Sequence, residues 1–189
     1  SKFLTSWDTT AEYDAVKDNL VTPQVALTKD NNTVHYKPYI PPIPVETRLV
    51  ATFNVTDTSN PTQISSQYAT NPFSAIEIDG VIQPTVETTY TFSTTGAHTV
   101  KYTLTDPTTI GSDTFYHCFK LVNIELPNSV TSIGNGAFDG CENLISINIS
   151  SGVTTIGNKA FNNCRALTGI TIPDSVTSIG SQDFQNCSG

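Results

Sequence analysis

Residues 124–146 read IELPNSVTSIGNGAFDGCENLIS, residues 147–169 read INISSGVTTIGNKAFNNCRALTG, and residues 170–189 read ITIPDSVTSIGSQDFQNCSG. These are three lines of one pattern with a period of 23 residues. Ile133, Ile156 and Ile179 share a column, as do Phe138, Phe161 and Phe184, and Cys141, Cys164 and Cys187. The columns continue upstream through Ile110, Gly111, Phe115, Cys118 and Leu121. A period in this range predicts stacked supersecondary units, none of which buries its apolar face alone.

Each unit opens on L-x-x-I-x-I, as in Leu144 to Ile149 and Leu167 to Ile172. Side chains alternate across a strand, so Ile124, Leu126, Ile147, Ile149, Ile170 and Ile172 are expected to point inward. The residues between them face outward: Asn123 and Glu125, Ser146 and Asn148, Gly169 and Thr171, preceded by Lys101 and Thr103. These eight are the candidate ligand-binding residues. The phenylalanine column is expected to be a buried spine. Gly134, Gly157 and Gly180 mark a repeated tight backbone position.

The L-x-x-I-x-I segment resembles the strand of a leucine-rich repeat with Ile in place of most Leu. With its continuation V-x-x-I-G-x-x-A-F-x-x-C, it is similar to the BspA-type subclass found on bacterial surfaces such as those of Bacteroides and on some protists. The resemblance covers about residues 100–189. It implies a solenoid with a parallel sheet, whose outward strand face is the concave, ligand-presenting one. It further implies adhesion to host proteins or other bacteria, and an extracellular, outer-membrane or secreted location. One departure is that Pro127, Ser150 and Pro173 directly follow the strand, where the standard repeat soon has Asn or Cys. An asparagine ladder is therefore not assumed.

The four cysteines fall in one column, one per repeat. Adjacent strands lie about 4.8 Å apart, near enough for a bridge, but parallel Cβ vectors are the wrong geometry for one. The column reads as small buried hydrophobes. It is no zinc site, since a single file without His is not a tetrahedron.

Upstream, three segments are expected. Residues 1–44 hold a short amphipathic helix over about 9–20, started by the Thr9/Glu12 capping-box spacing and ended by Pro23. A hairpin follows, Val25–Leu27 with Thr33–Tyr36, then a stiff linker at Pro38, Pro41, Pro42 and Pro44. Residues 45–105 alternate as strands and predict a small antiparallel, immunoglobulin-like β-sandwich. Leu49, Ala51, Phe53 and Val55 share a face, Asp79-Gly80 marks a two-residue hairpin, and Tyr90/Phe92 pair with Val100–Leu104 across Thr94-Thr95-Gly96. Residues 106–189 are the solenoid, about three and a half repeats. Alignment on Ile110 makes Thr99–Leu104 the first strand of the solenoid sheet, capping its N-terminal edge.

The remaining composition mostly excludes. Acidic residues outnumber basic ones 17 to 9, which argues against a nucleic-acid partner. No run approaches the roughly 18 apolar residues of a membrane helix. Without a signal peptide or a Met, the chain reads as a trimmed fragment, lipid-anchored through a segment upstream. The open C-terminal repeat edge is a candidate for self-association. His35, His98 and His117 lie in unrelated contexts, and no nucleophile elbow, phosphate loop, dinucleotide fingerprint or calcium loop occurs. Glu77, Asp79 and Glu87 could meet as a carboxylate pair but read as solubilising surface. Trp7, Phe3, Tyr13, Tyr36 and Tyr39 read as packing aromatics. No catalytic residue, metal or cofactor is expected. The functional expectation is a non-catalytic surface-binding module with a host or bacterial surface protein or glycan as ligand. The alternatives are a carbohydrate-binding accessory module and a ligand-free spacer of a larger surface protein.

Overall fold

A computed structural model describes residues 48–70 and 73–189, and the backbone of two further strands within 25–38. Those two, β1 (Val25–Asp30) and β2 (Thr33–Pro38), pair antiparallel as the expected hairpin, in register from Val25↔Pro38 to Asp30↔Thr33. They belong to a compact unit separate from the remainder, which runs from Ile43 to Gly189. The helix expected over 9–20 and the linker at Pro41, Pro42 and Pro44 lie outside the described residues.

The second unit is all β and turn among its described residues. Strands β3 (Arg48–Val55), β5 (Phe73–Ile78), β6 (Val81–Ile82), β8 (Gly96–Leu104), β10 (Leu121–Glu125) and β12 (Ser146–Asn148) form one sheet in the order β12-β10-β3-β8-β5-β6. A second, parallel sheet holds β9 (Thr109–Ile110), β11 (Ser132–Ile133), β13 (Thr155–Ile156) and β14 (Ser178–Ile179). A ribbon joins β4 (Thr62–Gln63) to β7 (Thr89–Tyr90).

The expected immunoglobulin-like sandwich takes a different form. Its long strands lie in a single sheet that continues into the solenoid, and only the β4–β7 ribbon stands apart. Tyr90 and Phe92 do not pair with β8, because β3 and β5 already occupy both edges of β8. Phe92 is buried instead, its ring 4.9 Å from Tyr90 and 4.4 Å from His98. For the same reason β8 is not the first solenoid strand. The free edge belongs to β3, which pairs antiparallel with β10 through Ile124↔Ala51 and Glu125↔Val50. β10 in turn pairs parallel with β12. β8 therefore runs parallel to β10, one strand removed. Two other expectations match the structure. β3 alternates with Leu49, Ala51, Phe53 and Val55 buried. Asp79 (φ 48°) and Gly80 (φ 85°) make the two-residue turn between β5 and β6, a conformation that Asp and Gly tolerate.

The solenoid coils are locked together at three levels. At the core, Phe115, Phe138, Phe161 and Phe184 stack with ring centroids 5.4–5.6 Å apart and planes within 7°. Each such buried ring contributes roughly 1.5–3 kcal/mol by burial, and its stacking about 0.5–1.5 kcal/mol more. The spine ends on two aromatics of the preceding strands, Tyr102 and Phe73, at 5.3 and 5.8 Å from Phe115. So β8 does cap the repeats, through a side chain and not through its edge. The Tyr102 hydroxyl, fully buried, donates to the Ile64 carbonyl at 2.6 Å.

Beside the spine, the cysteine column is unbridged, with Cys118, Cys141 and Cys164 buried and Cys187 half-buried. Its thiols are more than apolar filler: Cys141, Cys164 and Cys187 each donate to the carbonyl of a phenylalanine in the preceding coil, Phe115, Phe138 and Phe161, at 3.1–3.2 Å. Burial raises the pKa of all four thiols, which disfavours the thiolate.

At the turns, backbone amides bond from coil to coil, as from Phe115 to Ala137, Phe138 to Ala160 and Phe161 to Asp183. Two positions per coil are left-handed: Asp113 and His117, Gly136 and Gly140, Lys159 and Asn163, Gln182 and Asn186. An asparagine ladder exists after all, but behind the glycine column and not behind the strand. Asn135 Oδ1 accepts from the Asn158 amide, and Asn158 Oδ1 from the Ser181 amide, both at 2.8 Å. The glycine column is tight because coils touch there: a Cβ on Gly157 would lie 2.7 Å from the Asn135 nitrogen and 2.8 Å from the Gly134 carbonyl carbon.

Two outcomes follow. Gly157→Ala should lose about 1–3 kcal/mol in urea unfolding, the range of overpacking, whereas Gly169→Ala, with nothing within 4 Å of its Cβ position, should stay within about 0.5 kcal/mol. Thiol titration with an aromatic disulfide reagent at pH 8 should find Cys118 and Cys141 silent until denaturant is added, with half-buried Cys187 reacting first.

Candidate functional site

The six-stranded sheet has one face in the core and one open. Pairing register decides which side chains share the open face. One row crosses the sheet as Asn148, Glu125, Val50, Lys101 and Glu77. A second runs Ser146, Asn123, Thr52 and Thr99, and a third holds Arg48, Thr103 and Ala75. Six of the eight candidate residues thus lie on one face: Asn123, Glu125, Ser146 and Asn148 from the repeats, and Lys101 and Thr103 from β8. They are not contiguous, since Arg48, Val50 and Thr52 of β3 separate the two groups. Gly169 and Thr171 lie outside the sheet. Residues 167–173 form no strand, and exposed Gly169, lacking a side chain to pack, weakens pairing there. Ile170 and Ile172 still pack against the core, but only half-buried.

The face carries one ion cluster. Glu77 accepts from Lys101 Nζ at 2.8 Å and from Arg48 Nη1 at 3.0 Å. The Lys101 hydrogen bond, ahead of the Coulombic pull of Lys101 and Arg48, holds the Glu77 carboxyl below its ordinary pKa. The side chains of Glu77 and Arg48 are mostly covered, which makes this more than a solvated surface pair. Towards β12 the face opens: Glu125, a second carboxylate, is exposed with Ser146 and Asn148, and Ser146 Oγ donates to Asn123 Oδ1 at 3.0 Å. The face offers hydroxyls, amides and a tethered ion triad. Its one embedded carboxylate is tied to two cations.

The carboxylates Glu77, Asp79 and Glu87 do not converge. Asp79 turns to His98, whose Nδ1 lies 2.7 Å from its Oδ2, while the Thr99 amide donates to Oδ1 at 2.9 Å. Partial burial pushes the Asp79 carboxyl up, but the His98 and Thr99 bonds outweigh it and bring it below the usual value. Among the described residues no group of three His, Cys, Asp or Glu is placed to hold a metal ion, and no helix is long and apolar enough to cross a membrane.

β3 supplies what sequence reasoning missed. Its outward residues Arg48, Val50 and Thr52 were legible from alternation, but nothing local told that the strand inserts between β8 and the repeats.

A repeated coil of two short strands, an inward aliphatic set and a continuous parallel sheet defines a leucine-rich-repeat solenoid. Residues 68–189 match the BspA type leucine rich repeat region, in six copies, and the chain belongs to that family. The match begins at residue 68, within the stretch read as a separate β segment. Among solved structures the chain is similar to a leucine-rich repeat protein from Bacteroides ovatus, at 34% identity and TM-score 0.42, covering 51% of this chain and 23% of that one. It is similar to the Treponema pallidum leucine-rich repeat protein at 33% identity and TM-score 0.39, covering 42% and 48%. A third likeness is to a leucine-rich repeat protein of Bacteroides capillosus, at 35% identity and TM-score 0.37, covering 42% and 54%. No curated protein matches.

The ion triad generates a pH prediction. Glu77 has a lowered pKa in the fold, so its contribution is complete above the ordinary glutamate range, near pH 4.3, and is lost as pH falls through the folded value. Urea unfolding at pH 7 and pH 3 should show Glu77→Gln destabilised at pH 7, with a smaller gap to the parent at pH 3. An equal gap at both values would exclude the triad as the cause.

Proposed function

We propose that the chain is a non-catalytic binding module of a cell-surface or secreted protein, which engages a protein ligand with the open face of its six-stranded sheet. One observation carries the reading. The core takes the inward residues of β3, β8, β10 and β12, leaving Asn148, Glu125, Ser146 and Asn123 outside the packing, exposed or half-exposed and chemically varied, beside the fixed charges of Arg48, Lys101 and Glu77. Solenoids tolerate variation on such a surface because the spine and the coil ladders carry the stability. The mixture of amides, hydroxyls and a single ion cluster suits a polar protein surface, where hydrogen bonds and charge complementarity fix the register. Family membership supports a presenting role, with surface location and adhesion part of this reading.

The test is the double variant Glu125→Arg/Asn148→Arg. Both positions are exposed, so thermal unfolding should not move. Biolayer interferometry against immobilised extracellular-matrix proteins and intact bacterial cells should show binding by the parent chain, weakened about tenfold or more in the variant. Parent-level binding by the variant would reduce this face to the outside of a spacer.

A further inference from the structure

A second surface lies across the core from the open sheet face. Lys101 and Thr103 leave β8 on the open side, while Tyr102 points the other way and bonds Ile64, next to β4. Around β4 and β7 is a cleft of about 270 Å³ lined by residues of three segments: Gln63 with Ser65 to Tyr68, Thr88 and Thr89, and Tyr116 with His117. Its described lining contains no Asp, Glu, Lys or Arg.

One wall carries the rings of Tyr68, Tyr116 and His117, and the row continues beyond the lining to Phe119. Tyr68 meets Tyr116 edge-on at 6.4 Å, Tyr116 stacks on His117 at 3.9 Å, and His117 stacks on Phe119 at 5.2 Å. Tyr68 is 62% exposed and Phe119 44%. Single exposed aromatics are ordinary, but a continuous row of four rings, two exposed and two half-buried, needs a reason. The other wall is uncharged and polar. Gln63 Nε2 donates to the Tyr116 carbonyl at 2.7 Å, which leaves its amide oxygen as an acceptor. Ser66 Oγ accepts from the Tyr68 amide at 3.1 Å, which leaves its hydroxyl proton to donate.

The cleft is built in advance. Ile64 and Ser65 amides both bond the Thr88 carbonyl, and the Ser66 amide bonds Thr114. His117 is held at left-handed φ (58°), with its ring seated over Gly140, where any Cβ would collide with it. Repeat logic does not require these rings: the equivalent positions in later coils are Asp139 and Gly140, then Asn162 and Asn163. Aromatic replacement in the first coil alone, where the cleft is, separates this feature from solenoid packing.

We infer that this cleft is a binding site for a neutral saccharide. A pyranose has an apolar C–H face, slightly positive, that lies against the negative face of an aromatic ring. Its rim of hydroxyls both donates and accepts, matching the Gln and Ser/Thr wall. The absence of formal charge from the described lining selects against sialylated or sulfated sugars, and the volume suits a terminal sugar unit more than a long chain. Fixed walls keep the ordering cost of binding small. The site is independent of the sheet-face reading.

The test is a printed array holding neutral, sialylated and sulfated oligosaccharides, probed with the labelled full chain, then titration calorimetry of the best neutral sugar. Neutral sugars should bind. Tyr68→Ala and Tyr116→Ala should each weaken binding about tenfold or more, Tyr68→Trp should retain it, and Glu125→Arg should leave it unchanged. Tyr68 is exposed, so its variants fold even if Tyr116→Ala lowers the thermal midpoint. Array silence on neutral sugars, preference for anionic ones, or undiminished binding by Tyr68→Ala would each overturn the assignment. Loss of sugar binding in Glu125→Arg would overturn it too, by moving the site to the sheet face.

Discussion

Contact between successive coils is the constraint on which the solenoid depends. At the glycine column the backbone of one coil lies so close to the next that no Cβ fits between them. That approach sets the coil spacing. The spacing in turn permits ring stacking in the phenylalanine spine, thiol-to-carbonyl bonds in the cysteine column, and amide ladders at the turns. None of these is strong alone: a hydrogen bond nets about 1 kcal/mol and a stacked pair a comparable amount. Their strength as a set comes from sharing one repeat vector, so that satisfying any of them in register satisfies the others.

The same constraint explains the junction with the N-terminal strands. A stack needs an end that is neither an open sheet edge nor an exposed ring. β3 supplies the edge and Tyr102 with Phe73 supplies the ring cover. Edge and cover come from three neighbouring strands, β3, β8 and β5, so the closing unit is a patch of sheet and not one strand.

The repeat interior was readable from sequence because each column recurs. Ile, Phe, Cys and Gly at fixed offsets can be checked against one another, and those columns lie in the core or at a coil contact until the last coil, where Ile179 is exposed and Phe184 and Cys187 are half-buried. Legibility failed where a position occurs once. Arg48 to Val55 looks like any alternating strand, and its neighbours depend on which edges are already taken. Tyr90 and Phe92 alternate too, yet β8 had no edge to offer them. The third strand motif, at Ile170 to Ile172, kept its inward packing and lost its pairing. On the candidate face, alternation identified which side chains look outward, but register alone revealed the β3 residues among them. The cleft rings were out of reach for another reason: Tyr68 and Tyr116 are distant in sequence, and only the fold brings them together.

The β3–β10 ladder has a consequence for how the chain folds. Coil-to-coil bonds close loops of 23 residues, the same short range every time. The ladder from Val50 to Glu125 closes a much longer one, with β5, β8 and the first coil threaded between. Loop-closure entropy rises with length, and non-local pairing slows folding. The junction is therefore the kinetically expensive step. Once formed, it presents a finished strand on which later coils can zip by local contacts. The N-terminal strands act as a template that gives the growth of the stack a direction.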